Sequence, residues 1–314
     1  MVDSSTSAPQ HQDRENTRIL SILASDYLKE KKSKRRWGIL FKLLVLGYIG
    51  VALFSHFDIF GPMDAGRHTA LVEVNGEIGP NGESADMVNY GLQSAFESES
   101  SIGVIININS LGGSPVHSAQ INEEIYRLKS LYPNKPVYVT VSDICASGGY
   151  YIAVAADQIY AHPASIIGSI GVLMDGFGFV ESMKKLGIER RLLTAGENKG
   201  SLDPFSPVND EQSAHALQLL DEVHQQFIEA VKVGRGNRVT DAPEIYSGLF
   251  WSGEKAKELG LIDDFGTVEQ VARDVIGAEA ILDYTIKPSV FDKFAEEMGV
   301  SIGRGLFGDG LNLR

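Results

Sequence analysis

The sequence predicts an α/β body built on a largely parallel sheet, with one apolar span near the N-terminus. Three observations lead there. From residue 69 onward, short β-branched apolar runs alternate with amphipathic segments. The longest amphipathic segments open on recognisable helix caps. Ahead of them, residues 37–57 form a nearly uncharged stretch of 21 residues, close to the ~20 that a helix needs to cross a bilayer.

Strands are expected at 70–75, 103–108, 136–141, 157–161 and 188–194. The run around 104–108, Val-Ile-Ile-Asn-Ile, is the pattern of a strand covered on both faces. Helices are expected between them. Residues 115–132 follow Ser114 as N-cap, with Pro115 at the first helical position and Ile121, Ile125 and Leu128 on one face. Residues 210–233 follow Asn209 and place Leu217, Leu220, Phe227 and Val231 on one stripe. A third helix near 253–259 ends at Leu259-Gly260, a C-cap signal. With no internal repeat, residues 58–314 read as one domain, with a Gly-rich docking arm from about 299.

The apolar stretch has no polar face, which argues against a buried core helix. It is longer than a signal-peptide h-region, and its leader is too long. It therefore reads as a single-pass transmembrane helix, with Lys42 snorkelling and Trp37 at the interface. Lys29, Lys31, Lys32, Lys34, Arg35 and Arg36 precede it, whereas only Arg67 follows within twenty residues. Positive charge stays inside. Residues 1–36, polar and partly disordered, are expected in the cytoplasm, and residues 58–314 across the membrane.

Charge divides along the same line. Residues 1–42 carry a net of +4, so the remainder carries −17 of the chain's total of −13. An acidic body argues against nucleic-acid binding. Cys145 is the one cysteine, so no internal disulfide is available. The histidines show no metal-ligand spacing, and neither a metal nor a cofactor is expected.

Four segments carry candidate chemistry, each with a plainer structural reading beside it. In Asp143-Ile144-Cys145-Ala146-Ser147-Gly148-Gly149-Tyr150-Tyr151 a strand gives way to a helix, so Ser147 stands where backbone N–H groups favour developing negative charge. The Gly148 N–H is then an oxyanion donor; the plainer reading makes Ser147 an N-cap. Cys145 occupies the place of the first glycine of a G-x-S-x-G elbow. It reads as a small buried side chain. In Asn109-Ser110-Leu111-Gly112-Gly113 two glycines let backbone amides converge on an oxygen, or simply make a turn. In Thr194-Ala195-Gly196-Glu197-Asn198-Lys199-Gly200 the lysine is a solvated loop charge or a general base. As a base its pKa must fall from about 10.4 by roughly 3.5, which disfavours the charged form by about 5 kcal/mol and demands a dry site. In Gly168-Ser169-Ile170-Gly171 the serine is a turn residue at the sheet edge or a partner for that amine.

Taken together and in order, Ala-Ser-Gly-Gly-Tyr-Tyr, Asn-Ser-Leu-Gly-Gly, Gly-Ser-Ile-Gly-Val and Ala-Gly-Glu-Asn-Lys-Gly resemble the signal peptide peptidase A family over about residues 70–275. The resemblance implies a Clp-protease/crotonase-like fold. It implies Ser147 as nucleophile, Lys199 as general base and Ser169 as the lysine's orienting partner. The oxyanion hole would come from Gly148, Gly113 and Gly112. It also implies a homo-oligomer in which Ser147 and Lys199 meet near or across a protomer boundary. Two departures stand out: Leu111 where the family usually has proline, and atypical residues around Lys199, Gly200 among them.

The expected function is thus a serine endopeptidase of a bacterial inner membrane, acting on cleaved signal peptides or other apolar peptides. Three alternatives stay open: a protease trimming stomatin-like membrane proteins, a crotonase-like acyl-CoA enzyme, and an inactive peptide-binding scaffold. A Ser-His-Asp triad lacks a supporting histidine segment, although such triads are recognised by geometry.

Overall fold

The computed structural model describes residues 37–48, 50 and 66–287. Residues 37–48 and 50 are helical (α1) and exposed. Among the described residues no helix is long and apolar enough to cross a membrane. The rest of the expected span, the basic leader 1–36 and the tail from 299 lie outside the described residues.

The body is an eight-stranded sheet. Its strands are β1 (His68–Ile78), β2 (Ser101–Gly113), β3 (Val137–Ala146), β4 (Gln158–Ala161), β5 (Ile166–Gly168), β6 (Phe250–Ser252), β7 (Asp264–Phe265) and β8 (Ile281–Asp283). The main path runs β6-β5-β3-β2-β1-β8. Every pairing is parallel except β5 with β6. The sheet forks at β3: its first half pairs with β4 and its second half with β5. At the fork β3 changes neighbours and runs on, still paired with β2 and β5, to Ser147.

Helices α2 (Ala85–Glu97), α3 (Pro115–Leu131) and α4 (Gly148–Ala153) pack with one another and with β1 and β2. Ser84 and Ser114 cap α2 and α3, with Pro115 in the first turn. Ile121, Ile125 and Leu128 are the buried face of α3, as the periodicity predicts. Val104, Ile105 and Ile106 are all fully buried, which requires cover on both faces of β2. The second face is covered by α7 (Val268–Gln270) and the π-helical turn Val271–Ile276, where Ile105 packs with Tyr160, Val271 and Ala272.

Three expectations need correcting. Residues 188–194 form no strand. Leu192 and Leu193 are exposed, β6 already occupies the edge beside β5, and the charged run Glu189-Arg190-Arg191 offers no alternating face. Gly168 and Ser169 are therefore not at the sheet edge, because β6 lies outside β5. Helix α6 (Asp210–Arg235), capped by Asn209, buries Phe227, Val231 and Arg235 but leaves Leu217 exposed. Only its C-terminal half packs as the stripe predicts. The short strands β5 to β8 and helix α5 (Val180–Leu186) carry too little pattern to be read from the sequence, whereas α2 was missed although Ser84 caps it and Val88, Leu92, Ala95 and Phe96 fall on one buried face.

Arg235 anchors the packed half of α6. Its side chain is 1% exposed, and it donates to Gly260 O and to both carboxylate oxygens of Asp263 at 2.8 and 3.1 Å. Burial pushes the Asp263 carboxyl up, but Arg235, the Ile159 N–H and Arg238 outweigh it and hold the group below the usual carboxylate range. Removing the carboxylate leaves a buried guanidinium without its counter-charge. We expect Asp263→Asn to cost about 3 kcal/mol at pH 7 in denaturant titration. A folded pKa below the unfolded one means the contribution is complete above about pH 4 and fades as pH falls through the folded value. The gap between wild type and variant should therefore close in acid; a gap that is constant with pH would refute the assignment.

Candidate active site

The site begins where β3 ends. Ser147 has φ 51 and ψ −121, a region that costs a non-glycine residue about 1–3 kcal/mol. Its N–H donates to Gly168 O at 2.8 Å, and its carbonyl accepts from Tyr151 N at 3.0 Å. The elbow is thus pinned on one side to β5 and on the other to α4. The Ser147 hydroxyl caps no amide of α4, so the side chain is free of the N-cap role that the plainer reading gave it. Although the sequence lacks the first glycine of the elbow motif, the backbone makes a sharp strand-to-helix turn of that kind.

The Gly-Gly loop at the end of β2 lies directly against this turn. A Cβ on Gly112 would stand 2.7 Å from both Gly148 N and Ser147 Cβ, and one on Gly113 would strike Ile78 O at 2.1 Å. A Cβ on Gly148 would stand 2.4 Å from Ser118 Oγ and 3.3 Å from Gly113 N. Only glycine permits backbone to approach backbone this closely. Gly112 is not the oxyanion donor the sequence suggested, because its N–H is already held by Ser110 Oγ, which also donates to Gly76 O. The Gly148 and Gly113 amides therefore flank Ser147 together. Gly148 opens α4, where an amide has no partner within its own helix. Two such donors beside a serine hydroxyl are an arrangement that stabilises a tetrahedral oxyanion.

Ser147 and both amides line a groove of about 920 Å³. Ser169 lines it too, held at φ 53 with its N–H donating to Leu249 O at 2.8 Å. Leu111, Val116, Tyr151, Leu173 and Phe227 give the groove an apolar wall. Sequence reasoning missed Tyr151 and Phe227 as groove residues, because both read as ordinary core positions. It also missed His224, whose Nε2 lies 3.1 Å from Ile170 O at the groove. Burial pushes the Cys145 thiol far up, so it stays protonated.

Lys199 is elsewhere. It sits in a series of tight turns, its N–H donating to Gly196 O at 3.2 Å, and its side chain is exposed. It does not line the groove that holds Ser147. One chain thus brings together Ser147, Ser169, Gly112, Gly113 and Gly148, but leaves Lys199 in water. The segment around it is unusually apolar for a surface: Leu193 is 96% exposed, Val208 86% and Phe177 79%.

Comparison with known proteins adds a family. Residues 129–279 match the family described as Peptidase family S49. A Synechocystis protein named as a protease is 33% identical over 218 residues, covering 69% of this chain and 76% of that protein. A Brucella abortus protein named Na(+)/H(+) antiporter NhaA is 47% identical over 188 residues, covering 59% of this chain; the match spans only 25% of that protein. A solved membrane-bound stomatin-specific protease aligns at 16% identity with a TM-score of 0.40, covering 74% of this chain and 98% of that one. A superposition that loose carries no argument about substrate.

The strained turn gives its own test. Glycine relieves a positive φ that alanine does not. Ser147→Gly should therefore unfold at higher denaturant than Ser147→Ala, by about 1 kcal/mol. Equal stabilities, or a more stable alanine variant, would show that the turn is unstrained.

Proposed function

Because the chain belongs to peptidase family S49, the family of signal peptide peptidase A, we propose that it is a membrane-anchored serine endopeptidase that degrades cleaved signal peptides or other apolar peptides. The observation that carries the reading is Ser147, held in a strained turn beside the Gly113 and Gly148 amides on the floor of an apolar groove. The antiporter name of the Brucella relative is not carried over, since the match spans a quarter of that protein.

In the proposed reaction Ser147 Oγ attacks the scissile carbonyl and gives its proton to neutral Lys199, oriented by Ser169. The Gly113 and Gly148 amides hold the oxyanion. Collapse expels the amine, which takes the proton back from lysine, and water then releases the acyl group by the same route. A solvated lysine cannot take part, because it is protonated at neutral pH. The base must be dried, and the chain does not do so alone. Its exposed apolar neighbours Phe177, Leu193 and Val208 are the surface that a second copy would cover. We therefore place Lys199 of one copy at the groove of the next, in a homo-oligomer.

Separate variants test this. Ser147→Ala and Lys199→Ala should each be inactive, and Lys199→Arg as well, since arginine stays protonated. Mixing the alanine variants under conditions of subunit exchange should restore activity against a synthetic signal peptide. No rescue from subunits shown to have mixed would mean that each chain completes its own dyad.

The anchor is proposed at residues 37–57, with the leader cytoplasmic and residues 58–314 outside the inner membrane, on the basic flank and the apolar run. Protease added to spheroplasts should digest the body and spare residues 1–36. Protection of the body would reverse the orientation.

A further inference from the structure

The groove is not apolar throughout. From the Gly113 loop it follows α3, whose Val116, Ala119 and Gln120 line it in turn, and reaches Glu123. Pro115 to Glu123 is eight residues, or about 12 Å of helix at ~1.5 Å per residue. An extended peptide rising ~3.3 Å per residue covers that in three to four residues. Gln226 of α6 also lines the groove. It and Tyr151 are shared with an adjoining depression that holds a second carboxylate, Glu229. Among the described residues no lysine or arginine lines either hollow. Among the described residues Glu123 has no ion-pair partner, in contrast to its neighbour Glu124, which is bound by Arg127 at 2.6 Å. Its charge is felt in the groove: burial first, and Glu123 second, hold the Tyr151 hydroxyl above its ordinary range.

We propose that Glu123 is a specificity-determining residue that selects peptides carrying a lysine or arginine where the bound peptide passes along α3, away from the bond cut. The apolar wall nearer Ser147 takes the hydrophobic part of the same peptide. An unpaired carboxylate in a groove without cations favours a cationic side chain and repels an acidic one. The inference deepens the peptidase reading and rests on it. Its chemistry fits that substrate class, because a secretory signal peptide joins a positively charged segment to an apolar one.

The test reads a ratio. A set of synthetic apolar peptides, each with lysine or glutamine at one position, is assayed for kcat/KM with the full-length protein in detergent and for binding to its Ser147→Ala form by fluorescence anisotropy. Lysine at the favoured position should win by about fivefold at low salt, as expected of an exposed ion pair. The preference should shrink as ionic strength rises. Glu123→Gln should bring the ratio to about one, and Glu124→Gln should leave it near five. No lysine preference at any position, or one that survives in Glu123→Gln, overturns the inference. Binding preference without any cleavage leaves the inference standing and sinks the peptidase reading instead.

Discussion

Everything at the candidate site depends on one close approach: the Gly112-Gly113 backbone lies against the Ser147-Gly148 backbone with no room for a Cβ between them. That contact fixes the Gly113 and Gly148 amides relative to the Ser147 hydroxyl through backbone packing, with Ser110 Oγ steadying the Gly112 amide. It is possible because β2 and β3 are adjacent parallel strands paired almost to their ends, Ser110 standing in register with Cys145. It is held because Ser147 N is tied to β5 and Gly112 N to Ser110. The strain at Ser147 is small beside the burial of β1, β2 and β3 that surrounds it, so the core can enforce a turn the serine would not choose.

The fork at β3 explains why the site sits where it does. The first half of the strand is spent on β4, and only the second half is free to pair with β5. That second pairing carries Gly168 and Ser169 to the same edge of the groove as Ser147. Two serines with positive φ are thus placed by two parallel strands rather than by a flexible loop. A site built on regular elements holds its geometry better than one built on loops alone.

What could be read from the sequence follows the same division. Strands β1 to β4 and helices α3 and α6 were legible because each has a strong period or a cap: the β-branched run of β2, Ser114-Pro115, Asn209. The Gly-Gly segments were legible as places of close approach. The false strand at 188–194 arose because β-branched and leucine content says nothing about whether a partner strand is available. The unpacked half of α6 arose in the same way: a stripe shows that a face seeks cover, not what covers it. Tyr151 and Phe227 escaped notice because a groove wall and a core have the same composition.

The false strand and the unpacked stripe share a location. The segment from about 171 to 220 holds the false strand, the exposed stripe and Lys199, and it exposes Leu173, Phe177, Leu193, Val208 and Leu217. Its sequence is patterned for burial that one chain does not supply. On the proposed reading the two disagreements resolve together: a neighbouring copy covers the leucines and, in the same act, removes water from the lysine. The rigid half of the chemistry, nucleophile and oxyanion amides, would then be complete in every chain, while the proton acceptor becomes a base only on assembly. A desolvated lysine is costly, and apolar contact across an interface is the favourable term large enough to offset about 5 kcal/mol of it. Burying ~200 Å² of apolar surface at ~25 cal/mol per Å² suffices, which a few of the exposed leucine and phenylalanine side chains would provide.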